Sequence, residues 1–264
     1  MPGASTDTET TALVTGASSG IGYELTKLFA ADGADVVLVS RRRDALEAVA
    51  DELETTYGVD THVFTADLSD PEAPAALHRS VVDAGLEVDT LVNNAGFGSY
   101  GPFLDDDAAT DRALVELHVG TVTALTKLFA REMADRGGGR ILNNASIAGW
   151  APTPNSAVYS AAKHYERAFS EALAEELADR GITVTALCPG ETETGFFDRG
   201  NYDESGAAET DRMSAAAVAE AGYRGLQAGD RIVIPGRRNK LRVFLRRLLP
   251  RRLFVKTVEE SVTK

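Results

Sequence analysis

The strongest constraint on the fold lies near the start of the chain. A short apolar run, Ala12 to Val14, leads into Thr15-Gly16-Ala17-Ser18-Ser19-Gly20-Ile21-Gly22, after which Tyr23 to Ala31 reads as a helix. A strand, a glycine-rich turn and a helix N-terminus make an anion site, because the unpaired N–H groups of the first helical turn and the helix dipole point at the same place. Glycines let the backbone approach a pyrophosphate closely. The spacing is T-G-x-x-x-G-x-G, distinct from the G-x-G-x-x-G of longer dinucleotide-binding enzymes.

The same alternation continues. Asp35 to Val39 is a valine-rich strand, Asp44 to Tyr57 a helix, Val63 to Thr65 a strand followed by Asp67-Leu68, Pro71 to Ala84 a helix, and Thr90 to Val92 a strand entering Asn93-Asn94-Ala95-Gly96. Uninterrupted alternation predicts an α/β fold, a Rossmann-type doubly wound parallel sheet with helices on both faces. At 264 residues the chain fits one such domain. The expected boundaries are a polar tail at 1–10, the nucleotide-binding domain at 11–236 with a substrate loop at about 195–212, and an extension at 237–264.

The second strand ends at Ser40-Arg41-Arg42-Arg43. An acid at this point of a Rossmann unit takes the ribose 2′-hydroxyl of NAD, whereas an arginine accommodates the 2′-phosphate of NADP. Here Ser40 replaces the acid, so Arg41 is read as the phosphate ligand, with Ser40 and Arg42 as helpers, and NADP (NADPH) as the cofactor. A planar guanidinium suits phosphate geometry. The plainer reading, arginines opening a solvated helix, covers Arg43.

Reactive side chains gather between Gly139 and Lys163, where Ser146 follows a strand-like run, Ile141 to Ala145, and Tyr159 precedes Lys163 by four residues. Positions i and i+4 share a helix face, so phenol and ammonium can point at one spot. A free phenol titrates near ~10, but a neighbouring ammonium favours the phenolate and brings it toward working pH for acid–base catalysis. Ser146 would hydrogen-bond the same substrate oxygen. Alone, a Y-x-x-x-K on an amphipathic helix is most often a core-edge tyrosine and a solvated lysine.

Composition narrows the partners. Net charge is −13, and arginine outnumbers lysine 21 to 6. This acid-rich, lysine-poor balance is that of proteins from high-salt cytoplasm, and its field repels nucleic acid. The polar N-terminus is expected to be a short tail rather than a signal peptide, and no stretch is expected to reach the ~18 apolar residues of a membrane span, so a cytoplasmic location is expected. Cys188, the single cysteine, reads as a small core residue; His62, His78, His118 and His164 have no ligand spacing, so no metal is expected.

T-G-A-S-S-G-I-G at 15–22, Asp67-Leu68, N-N-A-G at 93–96, Ser146, Y-S-A-A-K at 159–163 and Pro189-Gly190, in this order, resemble the short-chain dehydrogenase/reductase family along residues 11 to about 236. The resemblance implies that Thr15, Gly16, Ser18, Ser19, Gly20, Ile21 and Gly22 hold the pyrophosphate. Asp67 and Leu68 would flank adenine, and Asn94, Ala95 and Gly96 would back the ribose. Pro189, Gly190, Thr192 and Thr194 would lie near the nicotinamide and phosphates, with a flap at 195–212 over the substrate. Ser146, Tyr159 and Lys163 would carry catalysis, with Lys163 also on the nicotinamide ribose. The family pairs its two long helices, here Thr110 to Asp135 and the one from Tyr159, across subunits, implying a homo-oligomer, dimer or tetramer; interior packing is the alternative. One departure stands out. The family places an asparagine, which helps hold a proton-relaying water, where this sequence has His118 in Glu116-Leu117-His118-Val119-Gly120. Two readings stay open, an imidazole in the relay or a space-filling histidine. Phe97, Tyr100, Phe103, Trp150, Phe196 and Phe197 fall where the substrate mouth is expected and point to an apolar carbonyl or alcohol. The leading expectation is an NADP(H)-dependent oxidoreductase, and the alternative is an NADP-binding sensor or scaffold with little turnover.

After Gly236 the composition changes. Residues 231–256 carry ten Lys and Arg and no acid, leaving −23 for the rest (−13 − 10). On a helix, Leu241, Phe244, Leu245, Leu248 and Leu249 gather on one side and Arg238, Arg242 and Arg246 on another. Such a helix either lies on an anionic membrane surface, giving peripheral contact at the inner membrane, or packs its apolar stripe on protein.

Overall fold

Val36, Val37, Leu38 and Val39 have no exposed surface, as happens when helices cover both faces of a parallel sheet. The computed structural model describes residues 10–194 and 212–246. The expected tail, most of the flap with Phe196 and Phe197, and the chain beyond 246 with Leu248 and Leu249 lie outside the described residues.

β1 (Thr11–Thr15), α1 (Gly20–Ala31), β2 (Asp35–Ser40), α2 (Arg43–Tyr57), β3 (Thr61–Thr65), α3 (Ala73–Asp83) and β4 (Thr90–Asn93) alternate as predicted. Then follow α4 (Ala108–Val115), a π-helical turn (Glu116–Thr121), α5 (Val122–Arg136), β5 (Gly139–Asn144), α6 (Ala157–Glu176) and β6 (Ile182–Leu187). β7 (Thr192–Glu193) and β8 (Met213–Ser214) pair beside the main sheet, and α7 (Ala215–Ala228), β9 (Ile232–Val233) and α8 (Arg237–Leu245) complete the described chain.

Seven parallel strands run in the order β3-β2-β1-β4-β5-β6-β9. The register puts Ala12 beside both Val36 and Thr90. Strand order reverses between β1 and β4, and the crevice at the carboxyl ends of strands around such a switch point is where this architecture binds ligands. Leu25, Phe29, Leu46, Leu53, Val218 and Leu226 form the core on one face of the sheet. Leu77, Val81, Leu117, Leu125, Phe129 and Met133 form it on the other.

One sequence expectation needs correcting. The helical stretch Ala108–Arg136 is 29 residues long and apolar enough to span a membrane by length and composition. Half of its most apolar window is buried inside the domain, and Leu125, Phe129 and Met133 are fully enclosed. A core helix of a soluble domain passes the same test, because covering a sheet requires the same apolar surface.

Candidate active site

The site is assembled by a chain of hydrogen bonds running from the glycine turn to α6. Thr15, buried at the end of β1, donates its hydroxyl to the Val92 carbonyl (3.1 Å) and accepts from the backbone N–H groups of Asn94 (2.9 Å) and Ala95 (3.0 Å). The Asn94 amide donates to the Thr15 carbonyl (2.9 Å), and its oxygen accepts from Asn144 Nδ2 (2.9 Å). The Asn144 carbonyl in turn accepts from Lys163 Nζ (2.7 Å). Thus β1, β4, β5 and α6 are tied together at their functional ends.

Glycine is required in the turn for a concrete reason. Gly16 sits at φ +69°, and a Cβ there would come 2.9 Å from Asn94 Nδ2; one on Gly22 would come 2.4 Å from the same atom. Both would expel the Asn94 side chain. Gly20 likewise leaves room for Thr194, whose Cγ2 a Cβ would meet at 2.9 Å.

The turn fits a phosphate group. Ser19 is the N-cap of α1 but makes no side-chain capping bond, so the orphan N–H groups of the first turn are left for a ligand. Ile21 packs into the core. At the end of β2, Arg42 Nη2 donates to Ser18 Oγ (3.3 Å), and Ser40 Oγ accepts from the Arg42 N–H (3.3 Å). Arg41 Nη1 is 4.0 Å from Asp67 Oδ2, with both side chains more than half exposed. The Ser69 hydroxyl, bonded at 2.7 Å, followed by the Ser69 N–H and the Arg41 charge, outweighs partial burial and holds the Asp67 carboxyl below its usual range. Leu68 is buried and its carbonyl accepts from Thr121 Oγ1 (2.6 Å).

Ser146 caps a short 3₁₀ turn, Ile147–Trp150; its hydroxyl accepts from the Ala148 N–H (3.1 Å) and donates to the Pro189 carbonyl (3.4 Å). Thr192 donates to the Gly190 carbonyl (3.0 Å). Tyr159 lies in the first turn of α6, with Lys163 Nζ 5.6 Å from its ring centroid. Tyr159 also borders a recess lined by Ser99, Gly101, Phe103, Asp106 and Asn155.

His118 is held by protein groups at both ring nitrogens. It is fully buried, its Nε2 bonded to the Phe97 carbonyl (2.9 Å) and its Nδ1 to Glu166 Oε1 (2.8 Å). The π-helical turn brings it there, and a Cβ on Gly96 would stand only 2.6 Å from its Cε1. Its ring meets that of Tyr159 edge-on at 5.7 Å. Glu166, missed in the sequence, is 3% exposed and bonds Lys163 Nζ through Oε2 at 2.7 Å. Burial would raise its pKa, but Lys163 and His118 outweigh this and hold the carboxyl below the usual range. A signal was available: Tyr159, Lys163 and Glu166 stand at i, i+4 and i+7, one helical face.

The expected aromatic mouth is only partly assembled. Phe103 is 63% exposed and lines the recess, and Tyr100 reaches Asn155 (3.5 Å). Phe97 packs into the core, and Trp150 is covered by the Arg167 guanidinium at 4.3 Å. Asp106 and Asp111 make the described part of the recess acidic and polar.

A doubly wound sheet with a glycine-rich turn after β1, and with Tyr159 and Lys163 brought together on α6, defines the class. The short chain dehydrogenase profile matches residues 10–205, and the chain belongs to that family. It is 38% identical over 185 residues to mouse "Dehydrogenase/reductase SDR family member 7B", covering 69% of this chain and 57% of that protein. The chain thus spans less than two thirds of the length of such relatives. Among solved structures, a short-chain dehydrogenase from Sphingobium yanoikuyae in complex with NADPH is 31% identical with a TM-score of 0.81, covering 90% of this chain and 94% of that one. The bulky-bulky ketone specific alcohol dehydrogenase from Comamonas testosteroni is 29% identical with a TM-score of 0.76, covering 90% and 93%.

Proposed function

We propose that this chain is an NADP(H)-dependent oxidoreductase acting on a carbonyl or secondary alcohol, with Tyr159 as general acid and base. The observation that carries the reading is the placement of Lys163, whose Nζ is fixed by the Asn144 carbonyl and Glu166 beneath the Tyr159 ring. The nicotinamide would supply or accept the hydride when bound. Tyr159 donates its phenolic proton to the carbonyl oxygen in reduction and removes it in oxidation, and the Lys163 charge favours the phenolate between these events. Ser146 orients the same oxygen. Thr15, Gly16, Gly20, Gly22 and the first turn of α1 would take the pyrophosphate.

Arg41 and Arg42 at the end of β2 support NADP over NAD, as does the NADPH held by the Sphingobium protein. Phe103 in the recess supports a substrate with an apolar part, and Ser99 and Asn155 would meet polar substituents. Exposed Val115 on α4 supports self-association through the α4–α6 face. Leu241, Phe244 and Leu245 of α8 are 43–56% exposed, which keeps peripheral contact with an anionic membrane surface in the proposal alongside a cytoplasmic location.

The test is NADPH oxidation across a panel of ketones and aldehydes at low and high salt, with wild type and Tyr159→Phe. The variant keeps the ring and loses the proton, so turnover falls by about 10²–10⁴ while NADPH binding survives. Near-normal turnover in Tyr159→Phe would sink the mechanism. NADPH binding without turnover on any compound favours the sensor.

A further inference from the structure

The buried cluster beside Lys163 contains a charge problem that the structure solves. A carboxylate 2.7 Å from the Lys163 ammonium would cancel much of the positive field that the reading above requires at Tyr159. The hydrogen bonds show how this is offset. The Phe97 carbonyl can only accept, so the proton on that bond belongs to His118 Nε2. The bond between His118 Nδ1 and Glu166 Oε1 then also needs a proton, because an imidazole lone pair and a carboxylate oxygen do not attract at 2.8 Å. The pair therefore holds one proton more than a neutral imidazole and a carboxylate. Whether that proton sits on nitrogen or oxygen, His118 and Glu166 together are neutral, and the cluster with a protonated Lys163 keeps a charge of +1.

We propose that His118 and Glu166 form a charge-compensating pair that positions Lys163 and preserves its full field on Tyr159. This rests on the function proposed above. Both are positioning residues acting through Lys163. Glu166 anchors the ammonium from below, and His118 supplies the proton that stops this anchor from neutralising it. The low exposure of all three, 0–5%, means that solvent does little to screen the balance. Among the described residues, further ionisable groups near the cluster include Arg167, Cys188 and Glu116. Arg167 is held by the Gly149 carbonyl, Trp150 and Glu171. Cys188 is a thiol that burial pushes up to about 12 and hence keeps neutral. Glu116, on the same π-helical turn, folds over Gly120.

Glu166→Gln is the decisive variant. Gln can accept from Lys163 through its oxygen and donate to a neutral His118 Nδ1 through its amide, so every bond and the net +1 survive. His118→Asn keeps a donor toward Glu166 but carries no charge, leaving the cluster at zero. Two readouts are followed in each variant and in the double variant: the spectral ionisation of Tyr159, assigned by Tyr159→Phe and needing no substrate, and the pH profile of alcohol oxidation. In His118→Asn both move to higher pH by about one to two units, the size expected for one charge at the 5.7 Å that separates the His118 and Tyr159 rings. In Glu166→Gln both stay within about 0.3 units, and adding Glu166→Gln to His118→Asn restores them. A shift of one unit or more to lower pH in Glu166→Gln would mean that His118 is neutral and the pair negative, overturning the proposal; so would additive effects in the double variant. If His118→Asn does not fold, Glu166→Gln alone decides by the same criterion. The expected ionisation pattern without turnover on any substrate would leave the pair standing and overturn the oxidoreductase reading instead.

Discussion

Thr15→Val tests the hydrogen-bonded joint on which the site is hung. Valine has nearly the same shape, so the substitution exchanges the hydroxyl for a methyl and leaves the volume almost unchanged. It removes three hydrogen bonds, one given to the Val92 carbonyl and two accepted from the N–H groups of Asn94 and Ala95. Each abandoned group, where water cannot replace the partner, costs about 1–3 kcal/mol. Val92 is fully buried but Asn94 and Ala95 are only partly so, which places the sum in the lower part of the range, about 2–4 kcal/mol. A methyl held about 3 Å from nitrogen and oxygen also pushes the Asn94–Gly96 turn away from β1. For a chain of this size the melting temperature should fall by roughly 5–12 °C, and calorimetry measures it. Thr15→Ser keeps the hydroxyl and loses only a methyl, so it should cost about 1 kcal/mol. If Thr15→Val melts within 2 °C of wild type, the bonds do not hold the turn. NADPH affinity should weaken in Thr15→Val and not in Thr15→Ser.

Three further outcomes follow. Arg41→Ala should weaken NADP binding more than NAD binding; the side chain is 61% exposed, so the low end of a charge-assisted bond, ~1.5 kcal/mol, applies, or roughly tenfold. Equal loss for both dinucleotides in titrations would remove Arg41 from the 2′-phosphate. Truncation after Gly236 should abolish co-sedimentation with anionic liposomes at low salt and leave NADPH binding intact, whereas liposome binding that survives truncation removes α8 as the contact. Burial raises the Cys188 thiol from its ordinary value to about 12. The unfolded chain ionises first, so stability is full below about pH 9 and is lost as pH rises toward 12. Cys188→Ala should therefore flatten the alkaline limb of a stability profile taken by denaturant titration, and an unchanged limb would assign it to other groups.

The sequence by itself determined the fold. The strands from Ala12 to Val92 and their helices are local patterns of apolar period and turn chemistry, and the glycines at 16, 20 and 22 announce a turn that only small residues can make. Ser146, Tyr159 and Lys163 could be singled out as candidates because hydroxyl, phenol and ammonium are residue types and Tyr159 and Lys163 stand at i, i+4 on one helix. Tertiary structure alone decided what surrounds Lys163. Glu166 was not singled out in the sequence, and His118 stood there as a departure to be explained in isolation. Their meaning depends on a contact across 48 positions, made when a π-helical turn swings one buried side chain against another. The same holds for Thr15 and Asn94, 79 positions apart, and for Trp150, whose ring is covered by Arg167. Periodicity reports which face of an element is apolar; which polar group it meets in the interior is set by the packing of elements distant in sequence, where desolvation makes each unpaired charge costly and each partner specific.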